Sequence, residues 1–225
     1  MHISYKPKSG DRVPHMRMEN ISQAFYNAAG LFDKEEMEQV IIKDGNVTIF
    51  NYTNDEILAG VPEQLIHKDI FTTHLNAIAH GVNCQGVMGA GIALEVKRRY
   101  PDLFEKYKKM CLEYKDEYST ITEFPLGTIY PYRVPNTNLH ILNCFTQHDT
   151  AKRHGEVAIS YQAIFTSFSV AGCYCKENGI KELAIPQVGA GLGGGNWKII
   201  FQLIANALVM YGVTPIVYVL PSKGH

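Results

Sequence analysis

From about residue 46 onward, the apolar positions of this chain switch repeatedly between two spacings. Seven short apolar runs predict strands: Val47–Tyr52, Gln64–Ile70, Ala77–Asn83, Gly127–Tyr132, Leu139–Phe145, Leu183–Gln187 and Pro215–Leu220. Four longer segments repeat apolar residues every three or four positions and predict helices: Gly91–Tyr100, Leu103–Tyr118, Val157–Asn178 and Trp197–Tyr211. Strands separated by helices imply an α/β fold, a sheet with helices on both faces. The strands near 127–132 and 139–145 follow each other directly through Pro135-Asn136-Thr137-Asn138, a turn-rich link. They are expected to form an antiparallel hairpin, which makes the sheet mixed.

The first 45 residues read differently. Pro7, Gly10 and Pro14 among charges predict irregular chain. Ile21, Ala24, Phe25 and Ala28 fall at helical spacing, with Gly30 as a C-terminal stop. Asp33 and Glu36 resemble a capping box opening a second short helix toward Val40. The expected organisation is a helical N-terminal extension over residues 1–45 and one α/β domain over residues 46–225.

Composition narrows the function classes. With 46% apolar and 19% charged residues, the 225-residue chain is an ordinary packed protein. A net charge of −1 argues against a general electrostatic grip on nucleic acid. The runs Lys97-Arg98-Arg99 and Lys108-Lys109 read as solvated helix faces. No stretch reaches the length of a membrane span, and Met1–Arg17 lacks the apolar core of a signal peptide. Five cysteines, an odd count scattered through apolar segments, fit small buried thiols in a cytoplasmic protein. Cys173 and Cys175 lack a zinc spacing and the nine histidines are dispersed, so neither metal nor cofactor is expected.

Two glycine-rich loops carry the chemistry. The first is Asn83-Cys84-Gln85-Gly86-Val87-Met88-Gly89-Ala90-Gly91, the second Gln187-Val188-Gly189-Ala190-Gly191-Leu192-Gly193-Gly194-Gly195. Each lies between an apolar strand and a helix, where unpaired N–H groups and the positive end of the helix dipole suit a phosphate. Either loop alone reads equally well as a tight strand–helix turn; two in one small domain suggest two walls of one cleft. Gly189, Gly191 and Gly194 also fit the G-x-G-x-x-G fingerprint of dinucleotide-binding oxidoreductases. That reading fails because the acidic residue would fall near Tyr211 and only one strand can follow.

Around these loops the chain resembles the macrodomain family and, within it, the ADP-ribose 1''-phosphate phosphatase branch. The resemblance is carried by the segment His80 to Ala93, by Arg99-Tyr100-Pro101, by Asn143-Cys144-Phe145-Thr146-Gln147, by His154-Gly155-Glu156, and by Ile185 through Gly195 to Trp197. It covers most of residues 64–220 and leaves the N-terminal extension outside. It implies a three-layer α/β/α fold with a mixed central sheet and ADP-ribose, or its 1''-phosphate, lying across the strand ends. In that frame Asp69, with Ile70 beside it, accepts from the adenine amino group. Gly89, Ala90, Gly91 and Ile92 of the first loop hold the diphosphate, as do Gly189, Ala190, Gly191, Leu192 and Gly193 of the second. Asn83 faces the distal ribose, and Thr146 and Gln147 approach that ribose or the leaving phosphate.

The branch has a histidine at the position of His80, so His80 and Asn83 are the expected catalytic residues, with the imidazole as acid, base or nucleophile. The first expectation is a metal-independent phosphatase releasing phosphate from ADP-ribose 1''-phosphate. A hydrolase removing ADP-ribose from protein or nucleic acid, and a binder without catalysis, remain open alternatives. A neighbouring branch that strips ADP-ribose from protein carboxylates or nucleic-acid bases has a lysine near Gln147 and, in some members, an aspartate near Gly193. Their absence here weighs against that lysine-dependent mechanism. The better-known hydrolase branch has paired asparagines and an aspartate where Cys84-Gln85 and Ile92-Ala93 stand.

Overall fold

A computed structural model describes residues 1–7, 13–34, 37–44, 46–53, 56–58, 60–117, 125–150 and 157–221. The larger unit is built on β6 (Gln64–Ile66), β7 (Ala77–Asn83), β8 (Ile129–Arg133), β9 (His140–Gln147), β10 (Glu182–Ile185) and β11 (Thr214–Tyr218). Their order across the sheet is β6-β11-β10-β7-β9-β8. All neighbours are parallel except β8, which returns antiparallel along β9 as the turn-rich link requires. Helices α2 (Gly91–Arg99) and α3 (Pro101–Glu117) close one face around Val96, Leu103 and Tyr107. Helices α4 (Tyr161–Glu177) and α5 (Trp197–Val209) close the other around Ile164, Phe168 and Leu203. This is the three-layer α/β/α sandwich with a mixed sheet that the apolar pattern implies.

The N-terminal segment departs from the helical extension expected of it. It holds one helix, α1 (Ile21–Lys34), within a five-stranded antiparallel sheet of order β2-β1-β3-β4-β5. The strands are β1 (His2–Pro7), β2 (Val13–Arg17), β3 (Met37–Asp44), β4 (Val47–Thr53) and β5 (Glu56–Ile57). The short helix expected from Asp33 toward Val40 is replaced by β3, which alternates buried Val40 and Ile42 with the less buried Gln39, Ile41 and Lys43, a period of two rich in β-branched side chains. The strand expected over Val47–Tyr52 in the central sheet forms as Val47–Thr53 and instead pairs with β3, Ile41 opposite Asn51. The expected boundary at residue 45 therefore falls inside a hairpin. Glu36, the far member of the supposed capping box, lies outside the described residues.

Asp33 explains why no local helix begins there. Its carboxylate accepts from Ser160 Oγ at 2.9 Å, Tyr161 N at 2.6 Å and Gln162 N at 2.9 Å, so it caps α4 across the unit boundary. Burial raises its pKa, and those three hydrogen bonds oppose the rise. Phe25 of α1 stacks on Phe165 of α4 with ring centroids 6.2 Å apart and meets Phe50 edge-on at 5.6 Å. The two units thus share one apolar core.

One polar tie runs through the central sheet. His80 is fully buried on β7, with its Nε2 2.8 Å from Asn143 Oδ1, and Asn143 Nδ2 donates to the Tyr130 carbonyl at 2.9 Å. These residues stand in register on β7, β9 and β8. With the amide oriented this way, Nε2 carries the imidazole proton. Among the described residues Nδ1 has no hydrogen-bond partner, although the adjacent Gly81 backbone favours the charged ring.

Burial lowers the His80 pKa to about 4, with the Asn143 bond opposing. The unfolded imidazole, near 6.5, then binds a proton that the folded one refuses between those values. Its contribution to stability is present above pH 6.5 and is lost as the pH falls toward 4. The expected outcome is that urea-unfolding free energy drops over this range by up to about 3 kcal/mol more in the native protein than in His80→Leu. Equal slopes for the two proteins would place His80 in contact with water.

Candidate functional site

The carboxyl ends of the parallel strands open onto a cleft of about 950 Å³. Lys68 and Asp69 follow β6 at one end, and Tyr218 ends β11 with Val219 and Leu220 after it. Pro186 to Gly193 follow β10, Asn83 ends β7, and Thr146 and Gln147 end β9 at the far side. Five strand ends at a spacing of about 4.8 Å give a trough of roughly 19 Å. Between β7 and β10 the chain leaves toward α2 on one face and toward α5 on the other, a switch point where open α/β sheets bind ligands.

The first loop delivers the start of α2 to this trough. Asn20 caps α1 at Gln23 N, Ser160 caps α4 at Ala163 N, and Asn196 caps α5 at Lys198 N. By contrast, Ala90 at the start of α2 offers no side-chain cap, and Gly91, Ile92 and Ala93 all line the cleft. Their N–H groups carry the positive end of the helix dipole and donate to no acceptor among the described residues. Gly91 has φ 55°, and a Cβ there would meet no atom within 4 Å.

The second loop closes the opposite wall. Gly195 N donates to Gly189 O at 3.0 Å and Gly194 N to Gly191 O at 3.1 Å, which folds the loop back on itself. The N–H groups of Gly191, Leu192 and Gly193 donate to no acceptor among the described residues. The glycines here serve two purposes. A Cβ at Gly193 would meet Ile159 Cγ2 at 2.6 Å, a packing demand, whereas one at Gly191 would meet nothing within 4 Å. Space is left at Gly191 that the protein itself does not fill.

At the β6 end, Asp69 accepts from Phe71 N at 3.0 Å and faces Arg99 Nη2 at 3.6 Å. The Arg99 guanidinium lies 4.3 Å over the Phe71 ring, and both residues line the cleft. At the β9 end, the Thr146 hydroxyl lacks a hydrogen-bond partner among the described residues, while Gln147 Nε2 donates to Asp149 O at 2.6 Å. A Cβ at Gly81 would stand 2.7 Å from Thr146 Oγ1, so the glycine opens space beside that hydroxyl.

Of the residues singled out in the sequence, Asp69, Ile70, Asn83, Gly89, Ala90, Gly91, Ile92, Thr146, Gln147, Gly189, Gly191, Leu192 and Gly193 all line this one cleft. Ala190 does not; it sits in the turn behind, its N–H pointing to Gln187 O at 3.4 Å. His80, expected as the catalytic side chain, is also absent from the lining. Depth in the strand is the reason: the last three residues of β7, Gly81, Val82 and Asn83, line the cleft, whereas His80 lies one step further in and is fully buried against Asn143. His154-Gly155-Glu156 lies outside the described residues.

The Asn83 side chain is engaged locally rather than turned to a ligand. Its Oδ1 accepts from Gln85 N at 2.9 Å and Val87 N at 3.2 Å, its Nδ2 donates to Val87 O at 2.6 Å, and the Tyr107 hydroxyl reaches Oδ1 at 3.0 Å. Arg99 stood in a recognisable Arg-Tyr-Pro triplet that gave it no role. Tyr107 had no local signal at all, because its contact crosses from α3 to the end of β7. Of the five cysteines, Cys111, Cys144 and Cys175 are buried as expected, and Cys84 and Cys173 only partly so. The described residues contain no group of three or more His, Cys, Asp or Glu side chains able to hold a metal, and no helix long and apolar enough to cross a membrane.

Comparison with known proteins agrees with this geometry. The model of the Macro domain family matches residues 79–204. A DNA ADP-ribosyl glycohydrolase of Mycobacterium tuberculosis is 29% identical over 158 residues, covering 69% of this chain and 41% of that protein. The chain thus spans less than half the length of that relative. The solved macrodomain of Mycobacterium tuberculosis DarG superimposes with a TM-score of 0.54 at 26% identity, over 72% of this chain and all of that one. Thermosipho africanus DarTG in complex with ADP-ribose shares the fold over 100% of this chain and 70% of its own, with a TM-score of 0.56 at 18% identity. With the family model spanning both strand ends and both glycine-rich loops, the chain belongs to the Macro domain family.

Proposed function

We propose that this protein binds ADP-ribose along the strand-end trough and hydrolyses the bond joining its distal ribose to a macromolecule, DNA being the foremost candidate. The carrying observation is the pair of unsatisfied N–H sets, at the start of α2 and at Gly191 to Gly193, on opposite walls of one cleft. A diphosphate between them receives hydrogen bonds from both sides without any cation. Adenine then lies toward Asp69, a carboxylate able to accept from an exocyclic amino group, with Phe71 and Arg99 beside it. The distal ribose falls at Thr146, whose hydroxyl has no partner among the described residues.

The curated relative in Mycobacterium tuberculosis is a DNA ADP-ribosyl glycohydrolase. That supports release of ADP-ribose from a nucleic acid over the phosphatase activity first expected from the sequence. The phosphatase reading also loses its histidine, since His80 does not reach the cleft. In the hydrolysis, the bond from the distal ribose C1'' to the leaving group breaks. Water supplies a hydroxyl to that carbon and a proton to the departing base. Gln147 stands where a neighbouring branch has lysine, so the proton pathway here does not pass through an amine at that position.

Gly191→Glu should fold normally, because a side chain there meets no protein atom, and should fill the diphosphate space with a like charge. Calorimetry is expected to show ADP-ribose affinity falling by at least about 100-fold. A folded variant that binds as well as the native protein would put the ligand elsewhere. Purified protein should also release ADP-ribose from an ADP-ribosylated oligonucleotide and leave ADP-ribose 1''-phosphate intact. Phosphate release with the oligonucleotide untouched would restore the phosphatase, and tight binding with neither turnover would leave a binding module.

A further inference from the structure

The first glycine-rich loop has a fixed root and an open tip, and the root is held from beneath by one hydroxyl. Tyr107, fully buried on α3, donates to Asn83 O at 2.7 Å and reaches Asn83 Oδ1 at 3.0 Å. The Asn83 amide in turn holds Gln85 N, Val87 N and Val87 O, so one side chain fixes the course of residues 83–87. A second tie comes from the side, where Cys84 N and Gln85 Nε2 both donate to His148 O at 3.2 and 3.3 Å. Met88, 1% exposed, plugs the root into the core. Beyond it, Gly89 to Gly91 carry no such ties and face the cleft.

We propose that Tyr107 is a positioning residue for the diphosphate and that Asn83 acts with it as a post for the first loop, not as a contact to the distal ribose. The inference rests on the ADP-ribose reading of the cleft. Its logic is geometric. Asn83 Oδ1 already has three donors around it and one of the two Nδ2 protons goes to Val87 O, so the oxygen is filled and a single proton remains for a sugar hydroxyl. What the pair controls is where the chain runs into Gly89 to Gly91, whose N–H groups meet the diphosphate. Tyr107 suits the task because burial raises the pKa of its hydroxyl, which stays a neutral donor throughout the working range.

The two roles for Asn83 separate on a truncated ligand. ADP carries the diphosphate without the distal ribose. If Tyr107 and Asn83 act through the loop, Tyr107→Phe should weaken ADP and ADP-ribose binding by the same factor, about tenfold for one buried hydroxyl. Asn83→Ala should weaken both further. The double variant should lose less than the sum of the two single losses, because Asn83→Ala already removes the Tyr107 bond to the amide and leaves only its bond to the carbonyl of residue 83. Loss confined to ADP-ribose would overturn the proposal, as would unchanged affinity for both. Amide hydrogen exchange in the free protein supplies an arm independent of ligand. Exchange at the Val87 amide should accelerate about tenfold in Tyr107→Phe while the amides of α5 keep their native rates. If the native protein binds neither nucleotide, the ADP-ribose reading fails and this exchange still decides the post; unchanged exchange at Val87 would rule it out.

Discussion

Backbone N–H groups that no described residue satisfies are the constraint around which this molecule is arranged. A free donor at a helix start is normally met by a side chain, and α1, α4 and α5 each have one. α2 does not, and its start sits at the carboxyl end of β7, beside the strand whose following loop offers further free donors. Parallel pairing of β7 with β10 brings the two sets together, because both strands end on the same edge of the sheet. An anion with two adjacent phosphates meets both. The rest of the site grades outward from there, with the carboxylate, aromatic ring and guanidinium near Asp69 at one end and the Thr146 hydroxyl at the other.

Much of this was legible in the chain. The helices and the parallel strands of the central sheet announced themselves through period and turn residues, and the two glycine runs located the cleft. What was misread shares a cause: the deciding contacts lie far away in sequence. Asp33 looked like the start of a local helix because its true partners, residues 160–162, are invisible from its neighbours. Val47–Tyr52 looked like a strand of the central sheet because an apolar run does not say which sheet it joins. His80 looked catalytic because it precedes the first loop, yet only the last three residues of β7 line the cleft, and His80 lies one step deeper, buried against Asn143. Asn83 was placed correctly in the cleft, but its amide partners within the loop, and Tyr107 beneath it, appear only once α3 is packed.

Packing likewise separates glycines that serve the fold from those that serve a ligand. Gly193 and Gly195 make way for Ile159, whose side chain would stand 2.6 and 3.0 Å from their added Cβ atoms. Any protein with that isoleucine would need small residues there. Gly91 and Gly191 face open space instead, and a side chain could be housed at no packing cost beyond the left-handed backbone at Gly91. A sequence pattern counts all these glycines alike; only the packing distinguishes them.

The N-terminal sheet, which the resemblance left outside the domain, is joined to the site by a short path. Asp33 fixes Ser160 and Tyr161 at the start of α4. Immediately before them, Ala158 N donates to Gly193 O and Ser160 N to Thr146 O, at 3.0 and 2.9 Å. The Tyr161 hydroxyl accepts from Asn196 N at 2.9 Å. Residues 158–161 therefore clip the second glycine-rich loop to the end of β9, and a carboxylate from α1 anchors the clip. A segment that seemed an appendage is part of what holds the diphosphate wall and the distal end of the cleft in register, which gives a physical reason for both units to share one core.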